Sequence, residues 1–122
     1  MENNGLENIK KTFDCCDPWY SLIKNQQKVV EGRICNEKYS GLENGDIIKL
    51  LKTENEEEFV LLKIINIEKY KTFREMIESE TLERVLPNIT TIDEGVEVYR
   101  KFYTEKIENK KGVIAITIEL IS

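Results

Sequence analysis

The sequence predicts a single α+β domain, a small β-barrel decorated by helices, and three observations carry that prediction. Ile47-Ile48-Lys49-Leu50-Leu51 and the run from Phe59 to Ile67 place apolar residues on both strand faces, which suits a curled sheet covered by helices better than a sheet with one wet face. Thr72-Phe73-Arg74-Glu75 and Thr91-Ile92-Asp93-Glu94 are capping boxes, each opening a stretch of helical periodicity. A length of 122 residues, 40% hydrophobic and 34% charged, describes one ordinary domain whose core needs no disulfide or metal staple.

Taken in order, residues 1–13 are rich in Asn, Glu and Lys without periodicity and read as a flexible leader, which leaves the domain proper at 14–122. A helix is expected over 17–25, with Asp17 as cap, Pro18 at its first position and Trp19, Leu22 and Ile23 on the apolar face. A strand follows over 28–35. Tyr39 to Asn44 reads as a turn, and Gly45-Asp46 leads into a strand over 46–53. Glu54 to Glu57 then makes an acidic hairpin tip before a strand over 58–69. The first capping box opens a helix over 72–86 that points Phe73, Met76 and Ile77 inward and stops at Pro87. The second opens a helix over 91–105 in which Ile92, Val96, Tyr99, Phe102 and Tyr103 form one stripe. Glu105 to Lys111 reads as a charged loop, and the chain ends in a strand over 112–121.

Composition excludes several kinds of chemistry. With no histidine, a Ser-His-Asp or Cys-His nucleophile pair and a histidine-ligated zinc site are impossible. Cys15, Cys16 and Cys35 are too few for a four-thiolate zinc site and too awkward for a disulfide framework; they read as reduced thiols of a cytoplasmic or nuclear protein. No metal and no other cofactor is expected. Met1 to Thr12 lacks the apolar core of a signal peptide, and no segment is long and apolar enough for a membrane span. The net charge of −5 argues against broad duplex binding, which needs many phosphate contacts. Lys24, Lys28, Arg33 and Lys38, against Glu31 and Glu37, nevertheless make one region locally positive.

That region holds the candidate site. On a strand beginning near Lys28, Glu31 and Arg33 point the same way and their heads can pair, with Lys28 at the strand mouth. A salt-bridge cluster on a barrel strand is the structural interpretation. The functional one is a cavity in which the Arg33 fork and a movable Lys28 cation meet phosphate or a base carbonyl, while Glu31 accepts from an exocyclic amine. Trp19 and Tyr20 offer a stacking face, although core packing accounts for Trp19 equally well. Cys35 shares the parity of Glu31 and Arg33 but is better explained as a small buried hydrophobe. Tyr99 is expected to be mainly structural, and Tyr103, near its helix end, to keep its hydroxyl at the pocket rim. Arg100 lies on the polar side of its helix, either solvated or in contact with phosphate.

Lys28, Glu31 and Arg33 fit the Gly-x-Lys-x-x-Glu-x-Arg signature of ASCH domains, and Pro18-Trp19, Gly45-Asp46, Tyr99-Arg100-Lys101-Phe102-Tyr103 and Gly112-Val113-Ile114-Ala115-Ile116 extend the resemblance. The chain resembles this family over residues 17–121, with Gln26 where the family usually has glycine. The resemblance implies a PUA-like β-barrel and a module that binds RNA or a modified nucleoside, the ligand contacting Trp19, Lys28, Glu31, Arg33 and Tyr103. It also implies two alternatives. Some small ASCH proteins are amidohydrolases acting on N4-acetylcytidine, which would make Lys28 and Glu31 catalytic; Glu31, however, stands where that branch has threonine. Others suggest a protein-interaction adaptor with a partner in transcription or translation.

Overall fold

The computed structural model describes residues 8–122. Five strands, β1 (Ile9–Cys15), β2 (Val30–Ile34), β3 (Ile47–Lys52), β4 (Asn55–Tyr70) and β5 (Val113–Leu120), form one mixed sheet in the order β1-β3-β4-β5-β2. Only β1 and β3 run parallel; the other pairs are antiparallel. The α+β expectation holds, and so does the placement of the four predicted strands.

Two expectations are corrected. The sheet is not a closed barrel: β1 and β2 are its two edges. Where a barrel would have a backbone ladder, Arg33 Nη2 of β2 instead donates to the carbonyl oxygen of Asp14 in β1 at 2.8 Å. The leader is not irregular through residue 13 either, because Ile9–Cys15 pairs with β3. Phe13 and Cys15 are buried and Thr12 and Asp14 exposed, the alternation of a half-covered strand. Its stabilising partner lies some forty residues away, roughly the span from Phe13 to Leu50, so local composition could not announce it. Residues 1–7 of the expected leader lie outside the described residues.

Among the described residues five α-helices accompany the sheet, α1 (Trp19–Lys24), α2 (Phe73–Glu80), α3 (Leu82–Val85), α4 (Ile92–Arg100) and α5 (Glu105–Lys111), with one 3-10 turn at Glu37–Tyr39. Both threonine caps form, with Thr72 accepting from Glu75 N and Thr91 from Glu94 N, each at 3.1 Å, while the glutamates bond Lys71 N and the Thr90 and Thr91 hydroxyls in place of the N-cap amides a full capping box would engage. The helix expected over 72–86 is broken at Thr81, whose φ of 77° is foreign to a helix. The segment read as a charged loop is α5. Thr104 caps it at Ile107 N, Lys110 and Lys111 lie in its last turn, and Gly112 follows at φ 76°. Thr104 has no glutamate three residues on, so the capping-box pattern passes over it.

One core lies within the curl of the sheet, where Phe13, Tyr20, Ile23, Leu50, Leu62, Ile64 and Ile116 pack together. A second, with Val30, Phe73, Met76, Ile77, Val85 and Tyr99, joins β2 and β5 to α2, α3 and α4. Buried Glu108 ties this side together. It accepts from Phe73 N at 2.7 Å, capping α2 from α5, and from Arg100 Nη2 at 3.1 Å on α4.

Candidate functional site

The turn from α1 into β2 sets the site. Asp17 accepts from the backbone N and hydroxyl of Ser21, anchoring the first turn of α1. The chain then reverses at Gln26, whose φ of 68° lies in the left-handed region that favours glycine, and Gln27 N and Lys28 N both donate to the Leu22 carbonyl. This turn drives Lys28 beneath the helix. Its ammonium donates to the carbonyls of Val30, at 2.7 Å, and Val85, and lies 3.5 Å from Glu31 Oε1. The Lys28 side chain is 1% exposed.

Strand parity brings Glu31 and Arg33 together as expected. Glu31 Oε2 accepts from Arg33 Nε at 2.9 Å and Nη2 at 2.7 Å, while Nη1 donates to the Tyr39 hydroxyl at 3.1 Å. Two cations therefore share one carboxylate in a largely buried network, and each draws on neighbouring oxygens for the rest of its hydrogen bonds. Burial alone would raise the Glu31 pKa, but Arg33 and Lys28 together hold it below the usual carboxylate range. Burial pulls Lys28 below the usual lysine range against the opposing pull of Glu31. With three acceptors around it, Lys28 is not the movable cation expected at the strand mouth. The locally positive region is also largely neutralised, since Lys24 pairs with Glu58 at 3.0 Å and Arg33 with Glu31.

At the free edge of β2, this network forms one wall of a cleft of ≈ 260 Å³. Trp19, Tyr99, Phe102 and Tyr103 supply its aromatic surface, Gly32 lies beside Glu31 and Arg33, and Cys15 and Cys16 close the β1 side. Trp19, Lys28, Glu31, Arg33 and Tyr103 thus all line one cleft; Tyr20 does not, being fully buried in the core. Cys35 packs against the core and is not part of the lining.

Sequence reasoning missed the contributions of Gly32, Cys15, Cys16 and Phe102 and underrated Tyr99. Tyr99 does pack as a core residue, stacked on Phe73 at 4.2 Å and 8°, yet it also lines the cleft, with its buried hydroxyl lacking a hydrogen-bond partner among the described residues. The i, i+3, i+4 spacing of Tyr99, Phe102 and Tyr103 was the available signal, obscured because α4 ends at Arg100 and frees Phe102 from the packed stripe. Phe102 is 54% exposed at the cleft. Burial raises Cys15, Cys16, Tyr99 and Tyr103 above their ordinary values, so these groups are neutral near pH 7 and Cys15 is no thiolate nucleophile.

The family model for the ASCH domain matches residues 14–122. The chain belongs to the ASCH family. The crystal structure of hypothetical protein PH0355 is 39% identical and superposes with a TM-score of 0.81, over 91% of this chain and 98% of that one. The solution NMR structure of PF0455 from Pyrococcus furiosus is 37% identical, with a TM-score of 0.74, over 92% and 98%. The ZmASCH S128A mutant protein from Zymomonas mobilis is 11% identical with a TM-score of 0.64, over 92% of this chain and 69% of that one, a likeness of fold alone. Comparison with curated proteins gives no match. Among the described residues, no helix of this ASCH protein is long and apolar enough to cross a membrane, and no group of three or more His, Cys, Asp or Glu residues is placed to hold a metal ion.

Proposed function

We propose that this ASCH domain binds a nucleobase, presented by a nucleoside or by single-stranded RNA, in the cleft at the free edge of β2. The observation that carries the reading is the pairing of aromatic surfaces with a buried polar wall. Trp19, Phe102 and Tyr103 offer faces on which a flat ring stacks, and Arg33 offers a donor to its edge. At ≈ 260 Å³ the cleft falls just below the roughly 300–1,000 Å³ of drug-sized sites, a scale suited to a base or nucleoside. With Lys24 and Lys28 engaged by protein acceptors and a net charge of −5, affinity rests on the base rather than on phosphates.

The same geometry argues against the amidohydrolase alternative. Catalysis by Lys28 requires its amine to be free for the substrate, whereas its ammonium faces two carbonyls and a carboxylate, and Glu31 is occupied by Arg33.

Trp19 is the sole tryptophan, so its fluorescence reports on the cleft directly. Titrated nucleosides and a short single-stranded RNA should change it saturably, with comparable midpoints at low and moderate salt. The nucleoside and RNA arms show which form of the base is preferred. If neither changes the signal, or if duplex DNA binds tightly with a steep salt slope, the reading is wrong.

A further inference from the structure

The free edge of β2 carries a peptide group that the fold itself does not use. In an antiparallel pair, alternate residues turn their N–H and C=O toward the partner strand and the residues between them turn theirs away. Two hydrogen bonds at the ends of β2 fix which residues do which. Cys35 N donates to the Gly112 carbonyl and Ile118 N to the Val29 carbonyl, each at 2.9 Å. Between them the register runs without a shift from Val30↔Thr117 to Ile34↔Val113. Glu31 and Arg33 therefore bond to β5, and Val30, Gly32 and Ile34 turn their peptide groups to the open edge.

Two of these three edge carbonyls are occupied. Val30 accepts from Lys28 Nζ at 2.7 Å and Ile34 from Asn36 N at 3.0 Å, as expected of carbonyls turned away from β5. Gly32 has no hydrogen-bond partner for its N–H or its C=O among the described residues, since its only neighbour in the sheet is β5. A backbone donor and acceptor left without protein partners call for another partner. Gly32 lines the cleft, and without a side chain it can do so only with its backbone. Contact with the helices is made by its other side: a Cβ there would come within 2.8 Å of the Met76 sulfur and 2.9 Å of the Tyr99 hydroxyl. That contact is perpendicular to the sheet, whereas the peptide group points along the sheet plane, out of its edge.

The surrounding wall is short of acceptors. Glu31 Oε2 accepts twice from Arg33, and Oε1 faces Lys28. A donor on a bound ring is best met by the Gly32 carbonyl, and an acceptor beside that donor then meets the Gly32 N–H, as the next strand of a ladder would.

We propose that the Gly32 peptide group is the base-reading element of the cleft: its C=O accepts from, and its N–H donates to, a donor and an acceptor that stand side by side on the edge of the bound base. The inference rests on the base-binding reading and names its ligand class, bases whose edge donor is not replaced by methyl.

The test follows the Gly32 amide by NMR in the isotope-labelled protein, with Trp19 fluorescence reporting binding independently. Without ligand, the Gly32 amide should exchange with solvent faster than the amides of Glu31 and Arg33, which are paired with β5. A nucleoside or short single-stranded RNA that binds should move the Gly32 amide proton downfield and slow its exchange, leaving the other two nearly unchanged. Uridine should bind about tenfold or more tightly than 3-methyluridine, and cytidine than N4,N4-dimethylcytidine, because each methylated form lacks the donor and leaves the Gly32 carbonyl unpaired. A Gly32 amide as protected as its neighbours before ligand is added, a Gly32 amide unmoved by a ligand that changes Trp19 fluorescence, or equal affinity for the methylated forms overturns this inference while leaving base binding standing. Failure of every nucleoside and of the RNA to bind overturns both.

Discussion

Replacing Glu31 by glutamine isolates the buried network, and the structure sets the size of the effect. Among the described residues the carboxylate is the one negative group paired with Arg33, at 2.7 Å, and with Lys28, at 3.5 Å, and side-chain exposures are 14% for Glu31, 12% for Arg33 and 1% for Lys28. In the variant, the amide oxygen can still accept from one cation, but its NH2 then faces the other, donor against donor. Two positive charges are left without a counterion at a site water barely reaches. Removing one member of a buried pair costs roughly 3–5 kcal/mol, and Glu31→Gln belongs in that range because none of its partners can swing out to solvent.

Arg33→Met behaves differently. It leaves Glu31 and Lys28 as a neutral pair and loses the hydrogen bonds to Tyr39 and to the Asp14 carbonyl, of which the second lies on an exposed residue that water can satisfy. About 2 kcal/mol is the expected cost. The double variant keeps Lys28 on its two carbonyls and removes the unbalanced second cation, so its cost falls short of the sum of the singles by about 1 kcal/mol or more. Urea unfolding with an unchanged slope measures all three; guanidinium chloride would screen the charges being tested. Additivity within about 0.5 kcal/mol would refute the reasoning, because Glu31 and Arg33 would then not be supporting each other.

Three further outcomes are expected. Glu31 is held below its unfolded value of 4.5, so below that value the unfolded chain binds the extra proton; the Glu31 contribution is complete above pH 4.5 and is lost as the pH falls through the folded value. Urea midpoints from pH 7 to pH 3 should fall less steeply for Glu31→Gln than for the natural protein, and parallel curves would contradict the pairing. Gln26→Gly, at φ 68° on an exposed turn, should stabilise by about 0.5–1 kcal/mol, the relieved left-handed strain less the extra unfolded entropy of glycine, and a lowered melting temperature would count against the turn geometry. Glu108→Ala orphans Phe73 N and frees Arg100, and should cost about 2 kcal/mol or more in urea unfolding; an effect below about 0.5 kcal/mol would mean that α5 does not cap α2.

The sequence made the sheet and the charge pairing legible because both rest on local periodicity. Alternation alone aligned Glu31 with Arg33, and the apolar runs located β2 to β5. What it concealed depends on distant partners. β1 exists because β3 offers it a parallel ladder, and Lys28 is immobilised because the Val85 carbonyl, carried on α3, lies within reach. The cleft was half visible. The signature residues could be read from spacing, but Gly32 and Tyr99 acquire their roles only when β2 passes under α4, which no single window of sequence contains.

The cleft and the incomplete closure of the sheet have one physical origin. An open edge must be protected from pairing with other chains, and charged side chains turned into the sheet are an effective guard. Arg33 does this for β2 by spanning to Asp14, and Glu31 and Lys28 make that guanidinium tolerable in a dry setting. A backbone ladder between β1 and β2 would occupy the same slot and leave no wall of donors beside the aromatic rings. Stability and recognition therefore draw on the same side chains. Loss of ligand binding in a Lys28, Glu31 or Arg33 variant is uninformative until its unfolding free energy is known, whereas Phe102→Ala, which truncates a cleft-lining side chain 54% exposed, separates the two.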